Sequence, residues 1–279
     1  MSVYNDSFRV RYGSLPIAIS ENETHFDTKP HIHSEIELLY VKHGMAQIFV
    51  SDKCYKVSEG ELVIVNPMEV HSIICDKNMP YHQRCICFEL SLLPDKRLCN
   101  ELISGITYVD RYFKKDAEPT ARIVGYFEKM FDAVALSVQT LHFEVTAYAS
   151  LIFAELCRGG LITKKNTSGK RADFVSSVQS YLSKYYAEAI TSEHIARELY
   201  YTQSYFCRLF HLNFGTSFME YLSMYRISKA KSLLDDDTLK ISEVAERVGF
   251  LDQSYFSKCF KQLVGVSPTQ YKNRQHSNT

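Results

Sequence analysis

The sequence lacks the features of membrane-bound and secreted proteins. It has no run of about 18 apolar residues, which argues against a membrane-spanning helix. The N-terminal stretch MSVYNDSFRV has no basic segment followed by an apolar one, so we expect a cytoplasmic protein rather than a secreted one. The eight cysteines are scattered without a C-x-x-C pair, so we expect reduced thiols and no disulfide or zinc framework.

Net charge is also absent, because 32 Lys and Arg balance 32 Asp and Glu. Residues 171–279 hold 13 basic and 11 acidic side chains, whereas residues 1–170 hold 19 and 21. A DNA-binding protein needs a basic face and not a basic total, so the composition neither favours nor excludes nucleic acid. A length of 279 residues, 46% of them hydrophobic, predicts about two packed globular domains.

The chain changes character twice along its length. In the first hundred residues, short apolar runs recur about every ten residues between turn-forming residues, which predicts a small β-barrel or sandwich. Residues 159–172 are rich in Gly, Lys, Ser and Thr and have no periodicity, so we predict a linker there. Residues 173–275 read as seven helices. The predicted domains are therefore 1–158 and 173–275, and the predicted class is α+β.

Two helices are predicted between Pro119 and Cys157, ahead of the linker. Their apolar residues fall at helical spacing: Ile123, Phe127, Met130, Phe131 and Val134, then Val145, Tyr148, Ile152 and Leu156. Such helices could cover the β domain, or one could pair with its copy in a second chain. The second alternative predicts a homodimer.

One segment occurs twice. The letters QSYF stand at 203–206 and again at 253–256, and Phe, Gly, Ser and Tyr recur at matching positions beyond them. Each copy follows a short helix with a small residue in its middle, Ala196 or Ala245, which predicts two helix-turn-helix units. Counting from each alanine to the repeated tyrosine, the first turn is one residue shorter, so we expect the two turns to differ.

The outward face of each second helix carries short polar and basic side chains. Such a face suits a helix in the major groove, since Gln can read adenine, Arg can read guanine, and Lys can hold phosphate. We predict that the DNA-binding residues are Gln203, Ser204, Cys207, Arg208 and His211 in the first copy, and Gln253, Ser254, Ser257, Lys258 and Lys261 in the second.

The stretch from Arg226 to Thr269, RISKAKSLLDDDTLKISEVAERVGFLDQSYFSKCFKQLVGVSPT, resembles the AraC/XylS family of bacterial transcription regulators. The resemblance covers about 100 residues. It implies two helix-turn-helix units on a shared helix, here around Phe218–Leu234, with recognition helices in successive major grooves about 34 Å apart. It further implies double-stranded DNA and RNA polymerase as partners, a small-molecule effector such as a sugar, and activation of genes such as those for carbohydrate use.

The N-terminal half resembles a cupin domain. His31 and His33 are followed by Glu37, and His71 comes later, after a Gly and a Pro. Residues 31, 33 and 37 have the same parity, so one strand direction would place them on one face. The match is partial, because Met68 and Glu69 stand where the cupin pattern has small turn residues.

Three interpretations of these four residues remain open. They could hold a divalent metal such as zinc, iron, nickel or manganese, they could bind an organic effector in a barrel cavity, or they could be structural. We favour a regulator without enzymatic activity, with a cupin metalloenzyme fused to a DNA-binding module as the alternative. A DNA-binding architectural factor whose β domain only dimerises is a third hypothesis.

Overall fold

The computed structural model describes residues 10–11, 15–23, 27–76, 79–103, 105–136, 139–164, 170–234 and 238–276. Its strands are β1 (Val10–Arg11), β2 (Ile17–Asn22), β3 (Ile36–His43), β4 (Met45–Val50), β5 (Lys53–Ser58), β6 (Leu62–Val65), β7 (His71–Cys75), β8 (His82–Phe88), β9 (Thr107–Val109), β10 (Tyr112–Phe113) and β11 (Ile162–Lys164). Its α-helices are α1 (Lys96–Ile103), α2 (Glu118–Leu136), α3 (Leu141–Arg158), α4 (Lys170–Tyr185), α5 (Ser192–Glu198), α6 (Gln203–Phe214), α7 (Phe218–Leu234), α8 (Ile241–Arg247), α9 (Gln253–Val264) and α10 (Pro268–His276). The predicted α+β class is confirmed.

Among the described residues, the N-terminal half contains two large antiparallel sheets and a two-stranded one formed by β11 and β9. The larger has the order β1-β2-β8-β3-β6-β10 and the smaller the order β5-β4-β7. Side chains from both sheets, including Leu39 of β3 and Ile48 of β4, form one buried cluster between them. Because side chains alternate along a strand, Leu38 points the other way, into a second core beneath the helices. Residues of β3 with the parity of Leu39, Glu37 among them, therefore face the space between the sheets.

Helices α2 and α3 cover the outer face of the larger sheet. All the apolar residues that predicted these helices are buried except Tyr148, which is half-buried against the same core. The structure therefore supports the first alternative, in which the two helices cover the β domain, since their main apolar faces are buried within the chain. A separate outward strip of α3 remains, in which Phe143 is 78% exposed and Leu151 is 36% exposed.

The predicted linker at 159–172 is shorter than expected. Strand β11 pairs with β9, and Leu161 and Ile162 pack on the core of the N-terminal half, because two adjacent apolar residues gain more by burial than by exposure. Helix α4 already begins at Lys170. Residues 165–169 of the predicted linker lie outside the described residues.

The C-terminal half consists of the seven predicted helices, α4 to α10, within the described residues. Phe206 and Phe210 of α6 are fully buried, and Phe256 and Phe260 of α9 repeat them. Helix α7 contributes to both clusters, with Tyr221 in the first and Ala230 in the second. In the part of the chain that the structure describes, no helix combines the length and hydrophobicity needed to cross a membrane.

The two halves touch. Ile32, Met68 and Val70 of the N-terminal half are buried in the same apolar cluster as α4, α6 and α7. The hydroxyl of Tyr221 donates a hydrogen bond to the carbonyl oxygen of Met68 at 2.9 Å. Burial raises the pKa of Tyr221, so its phenol remains a neutral donor.

Candidate DNA interface and effector site

Each helix-turn-helix unit is held together by a capped second helix. The side chain of Thr202 accepts a hydrogen bond from the backbone N–H of Tyr205, and Asp252 does the same for Tyr255. Both helices end at a glycine in the left-handed conformation, Gly215 or Gly265. The repeated letters therefore specify two recognition helices, α6 and α9, of the same length and with the same ends.

The turns inside the two units differ as predicted. Tyr200 and Gly249 both have a positive φ, of 61° and 87°. In each unit the backbone N–H of the next residue donates a hydrogen bond to the carbonyl oxygen of the central alanine. Tyr201 donates to Ala196, and Phe250 donates to Ala245. The second turn then has an additional exposed residue, Leu251, before its N-cap. A bulky tyrosine thus occupies a backbone conformation that glycine adopts without strain.

The predicted DNA-binding side chains lie on the outward faces of α6 and α9. Nine of the ten are exposed, and Ser257 is half-buried. Gln203 also donates a hydrogen bond to the Ser192 hydroxyl of α5 at 3.0 Å, which orients its amide. The second helix carries two exposed cations, Lys258 and Lys261, and the first carries Arg208.

Sequence reasoning missed the aromatic residues on these faces. Tyr205 is 42% exposed and Tyr255 is 56% exposed, although each directly precedes a fully buried phenylalanine. The guanidinium carbon of Arg208 lies 5.5 Å from the centre of the Tyr205 ring, so the ring positions the cation. Their place in the QSYF repeat was visible, but an aromatic residue in a helix usually indicates core, which concealed their exposure.

Helix α7 is tied to the start of the domain by Arg226. Its guanidinium donates hydrogen bonds to the carbonyl oxygens of Tyr186 and Glu188 at 2.8 and 2.7 Å. These carbonyls lie just beyond the C-terminal end of α4, and the one of Glu188 also accepts from the backbone N–H of Ile190, so the charged group holds the chain that leaves α4. The shared helix is thereby fixed relative to the first unit.

In the N-terminal half, the four candidate ligand residues converge. His31, His33, Glu37 and His71 are each at most 8% exposed, and one donor atom from each lies within 4.8 Å of the others. A bridge pairs His31 with His71, while β3 supplies Glu37 from the sheet interior. His31 and His33 precede β3, which begins at Ile36, so the three residues grouped by parity come together without sharing one strand, and β7 supplies the fourth. We call these four residues the His/Glu cluster.

Glu37 is the centre of this cluster. Its Oε2 atom lies 3.1 Å from Nε2 of His33 and 2.8 Å from Nε2 of His71. The first contact has hydrogen-bond geometry and the second does not, although it is shorter. The other carboxylate oxygen, Oε1, accepts a hydrogen bond from the thiol of Cys85 at 2.8 Å.

The opposite nitrogen of each imidazole faces a backbone carbonyl. Nδ1 of His31, His33 and His71 lies 2.9, 3.0 and 2.9 Å from the carbonyl oxygens of Lys29, Glu35 and Glu69. A carbonyl oxygen can only accept, so each Nδ1 carries the proton. In the neutral form, Nε2 then presents a lone pair toward the cluster.

The turn before His71 explains the departure from the cupin pattern. Met68 adopts a positive φ of 62°, and its backbone N–H donates to the carbonyl oxygen of His33 at 2.8 Å. The carboxylate of Glu69 accepts three hydrogen bonds from Arg111. Burial alone would lower the pKa of Arg111, but the adjacent Glu69 carboxylate outweighs it and raises the pKa of the guanidinium. Met68 and Glu69 therefore anchor the turn where small residues were expected.

Two family models match the chain. The model described as an AraC-like ligand binding domain matches residues 16–148, and the one described as a helix-turn-helix domain matches residues 195–274. Together they match both halves of the molecule.

Related proteins agree with these models. The uncharacterized HTH-type transcriptional regulator YisR of Bacillus subtilis is 37% identical over 266 residues, or 90% of this chain and 89% of that protein. YijO of Escherichia coli, another uncharacterized HTH-type regulator, is 34% identical over 132 residues, which is about half of each chain (46% and 47%).

Among solved structures, an apo form of ToxT K231A from Vibrio cholerae has a similar fold, with a TM-score of 0.55 and 14% identity. The match covers 94% of this chain and 99% of ToxT. An AraC-type ligand-binding domain precedes two helix-turn-helix units with exposed recognition helices. The chain therefore belongs to the AraC family of HTH-type transcriptional regulators and is a ligand-responsive DNA-binding protein.

Proposed function

We propose that α6 and α9 enter successive major grooves and read one half-site between them. The observation that supports this most directly is the repetition of one exposed polar face on two helices of equal length, joined by α7. A solvated helix face has no reason to recur with the same caps and the same buried partners. Each half-site would then extend over two grooves about 34 Å apart.

Within this interface we assign the outward residues different roles. Gln203 and Gln253 begin the two helices, where a major-groove helix approaches base edges most closely, so we assign them base contacts. Arg208 lies on Tyr205 and suits guanine or phosphate, while Lys258 and Lys261 suit phosphate. Ser204, Cys207, His211, Ser254 and Ser257 would complete the surface.

Selection of bound fragments from random-sequence DNA, followed by footprinting, tests this proposal. We expect a protected half-site with two protected regions one helical turn apart. Exchanging α6 residues should change the preferred bases in one region only, and exchanging α9 residues should change the other. Binding without sequence preference would contradict the proposal.

We also propose that the effector that controls DNA binding is sensed at the His/Glu cluster. Four buried side chains direct one donor atom each toward the same space, an arrangement that suits a bound ion. The donor atoms lie within 4.8 Å of one another, so a sugar cannot fit among them. A carbohydrate effector would have to lie beside the cluster, and its assignment rests on family resemblance.

We propose that the chain acts as a homodimer. The outward strip of α3, formed by Phe143, Ala147 and Leu151, lies at i, i+4 and i+8 and is exposed. Among the described residues, the buried face of α3 packs in the core of the N-terminal half and not in the clusters that hold α6 and α9. Two chains that meet through the opposite face of α3 would leave both recognition helices accessible.

We propose that residues 1–158 and 173–275 are the functional units, with strand β11 (Ile162–Lys164) and the start of α4 at Lys170 belonging structurally to the units on either side. We further propose that the protein activates transcription, through RNA polymerase, of genes such as those for carbohydrate use, and that it turns over no substrate. A promoter reporter with and without the chain tests the sign of regulation. Product formation by purified, metal-supplemented protein would instead favour an enzyme.

A further inference from the structure

The His/Glu cluster and the DNA-binding domain share two short segments of chain, residues 31–33 and 68–71. We infer that a divalent transition-metal ion bound by the cluster orders these segments and so docks helix α7 onto the N-terminal domain. This inference rests on the proposal that the cluster reads the signal. It specifies the class of ligand and the route by which binding reaches the DNA-binding half.

The protonation pattern calls for a cation at the cluster. Because each Nδ1 proton is held by a backbone carbonyl, the neutral imidazoles of His31, His33 and His71 direct Nε2 lone pairs inward. The three Nε2 lone pairs and the carboxylate of Glu37 thus point toward the same space. Carbonyl bonds to the outer nitrogen are the arrangement that orients metal-bound histidines.

A metal ion explains the arrangement of the cluster better than an added proton does. One proton can serve the 3.1 Å contact between His33 and Glu37. It does not explain why Nε2 of His71 approaches the same oxygen to 2.8 Å without hydrogen-bond geometry. A single ion at the centre would accept electron pairs from all four residues at once.

The donor set indicates the class of ion. Three imidazole nitrogens with one carboxylate oxygen suit Zn²⁺, Fe²⁺, Ni²⁺ or Mn²⁺, whereas Ca²⁺ and Mg²⁺ prefer oxygen ligands alone. Donors from four residues within 4.8 Å match a site in which each lies about 2 Å from a central ion. Burial of all four side chains shields such an ion from water.

The same segments carry the docking contacts on their other face. Ile32 lies between His31 and His33, and Val70 directly precedes His71. Ile32, Met68 and Val70 belong to the buried cluster of the DNA-binding domain rather than to the core between the sheets. Alternation along extended backbone thus sends ligands to one side and docking residues to the other.

Helix α7 receives these contacts. Tyr221 bonds to the carbonyl oxygen of Met68, and Met224 and Ile227 line a cleft that reaches His31 and His33. A ligand that enters through this cleft passes between the two domains. Ion binding and docking therefore act on the same few residues, so each should favour the other.

Metal binding to the full chain gives the first test. We expect the chelator-treated wild-type protein to take up one Zn²⁺ per chain in equilibrium dialysis, with Ni²⁺ and Mn²⁺ as further probes. Glu37→Gln preserves the shape of the side chain and removes its charge, so the affinity should fall at least by the ~10–100-fold that loss of an outer partner costs. His43→Gln is the matched control, because His43 lies on the same strand but is exposed.

Hydrogen exchange gives the second test. Zn²⁺ should slow amide exchange in residues 31–33 and in α7 of the wild-type protein, and this slowing should be lost in Glu37→Gln. Ile32→Ala should still bind Zn²⁺ but lose the slowing in α7. Circular dichroism of each variant without Zn²⁺ identifies a folding defect, and His71→Gln provides an independent ligand variant if Glu37→Gln fails to fold.

Three outcomes would overturn the inference: no uptake of any of the three ions, uptake that Glu37→Gln and His71→Gln leave unchanged, or uptake without slower exchange in α7. None of them bears on specific DNA binding, which is measured separately by footprinting. If the proposed DNA-binding function is wrong, the protein should instead bind DNA without sequence preference, whatever the result with Zn²⁺.

Discussion

The hydroxyl of Tyr221 donates a hydrogen bond to the carbonyl oxygen of Met68 and thereby joins the helix shared by the two DNA-reading units to a turn of the effector domain. The bond is buried on both sides, and Met68 is held in a left-handed conformation by neighbouring contacts. Glu69 of the same turn is held by hydrogen bonds from Arg111. We therefore expect a change in the conformation of this turn to alter its contact with α7 directly.

Replacing Tyr221 with Phe should therefore weaken the docking of the two domains. The change removes one buried hydrogen bond and leaves the ring in place, so we expect a loss of about 0.5–1.5 kcal/mol in the free energy of unfolding. Tyr225→Phe is the control, since among the described residues its hydroxyl makes no bond to the N-terminal domain. Chemical denaturation of the full chain measures both, and equal stability of the two variants would contradict the prediction.

The DNA-reading half was largely predictable from the sequence. Phe206 and Phe210 recur as Phe256 and Phe260, and a helix that buries these residues must turn the intervening polar ones outward. The repetition also located Ala196 and Ala245 in the first helices of the units. Local spacing sufficed here because each unit is formed by neighbouring residues of the chain.

The effector site was predictable only in part. The parity of His31, His33 and Glu37 suggested a common face on one strand, but β3 begins at Ile36, so strand geometry accounts for the position of Glu37 alone. The docking of Met68 on Tyr221 joins residues 153 positions apart, and no periodicity records such a contact. The strand at Ile162–Lys164 was missed for a similar reason, because its pairing partner, β9, lies far away in the chain.

Tyr200 and Gly249 allow a paired prediction on stability. A non-glycine residue in the left-handed region costs about 1–2 kcal/mol, so Tyr200→Gly should relieve strain and raise stability by up to about 1 kcal/mol after the entropy of the unfolded chain is counted. Gly249→Ala should lower stability by at least about 1–2 kcal/mol, because it adds this strain and places a Cβ atom 2.5 Å from the carbonyl oxygen of Ala187. Thermal unfolding of both variants provides the measurement. The Tyr200 side chain is 96% exposed, so destabilisation by Tyr200→Gly would show that the entropy of glycine in the unfolded chain outweighs the strain.

The strip on α3 predicts the effect of a charge on dimerisation. Phe143, at one end of the strip, is 78% exposed, so Phe143→Glu should convert a dimer into a monomer without unfolding the chain. Met79→Glu is the control, because Met79 is also an exposed apolar residue, at 52%, but lies away from α3. Sedimentation of the full-length variants tests the idea. A wild-type protein that sediments as a monomer, or a Phe143→Glu protein that remains a dimer, would exclude this surface.

Arg208 and Lys258 predict how the chain holds DNA. Both are exposed on recognition helices and neither fills a core, so their replacement by alanine should leave the fold intact. If Arg208 contacts a base edge, Arg208→Ala should cost about 1–3 kcal/mol and relax the preference at one position. If Lys258 contacts phosphate, Lys258→Ala should weaken binding to all sequences and lower the salt dependence by about one unit.

Lys53→Ala is the control for a loss of charge alone, because Lys53 is an exposed cation of the N-terminal domain. Binding curves at several salt concentrations on the selected site and on a scrambled site separate these cases. If both variants match the Lys53→Ala protein on both DNAs, the DNA lies on another surface, and the outward faces of α6 and α9 are not the readers.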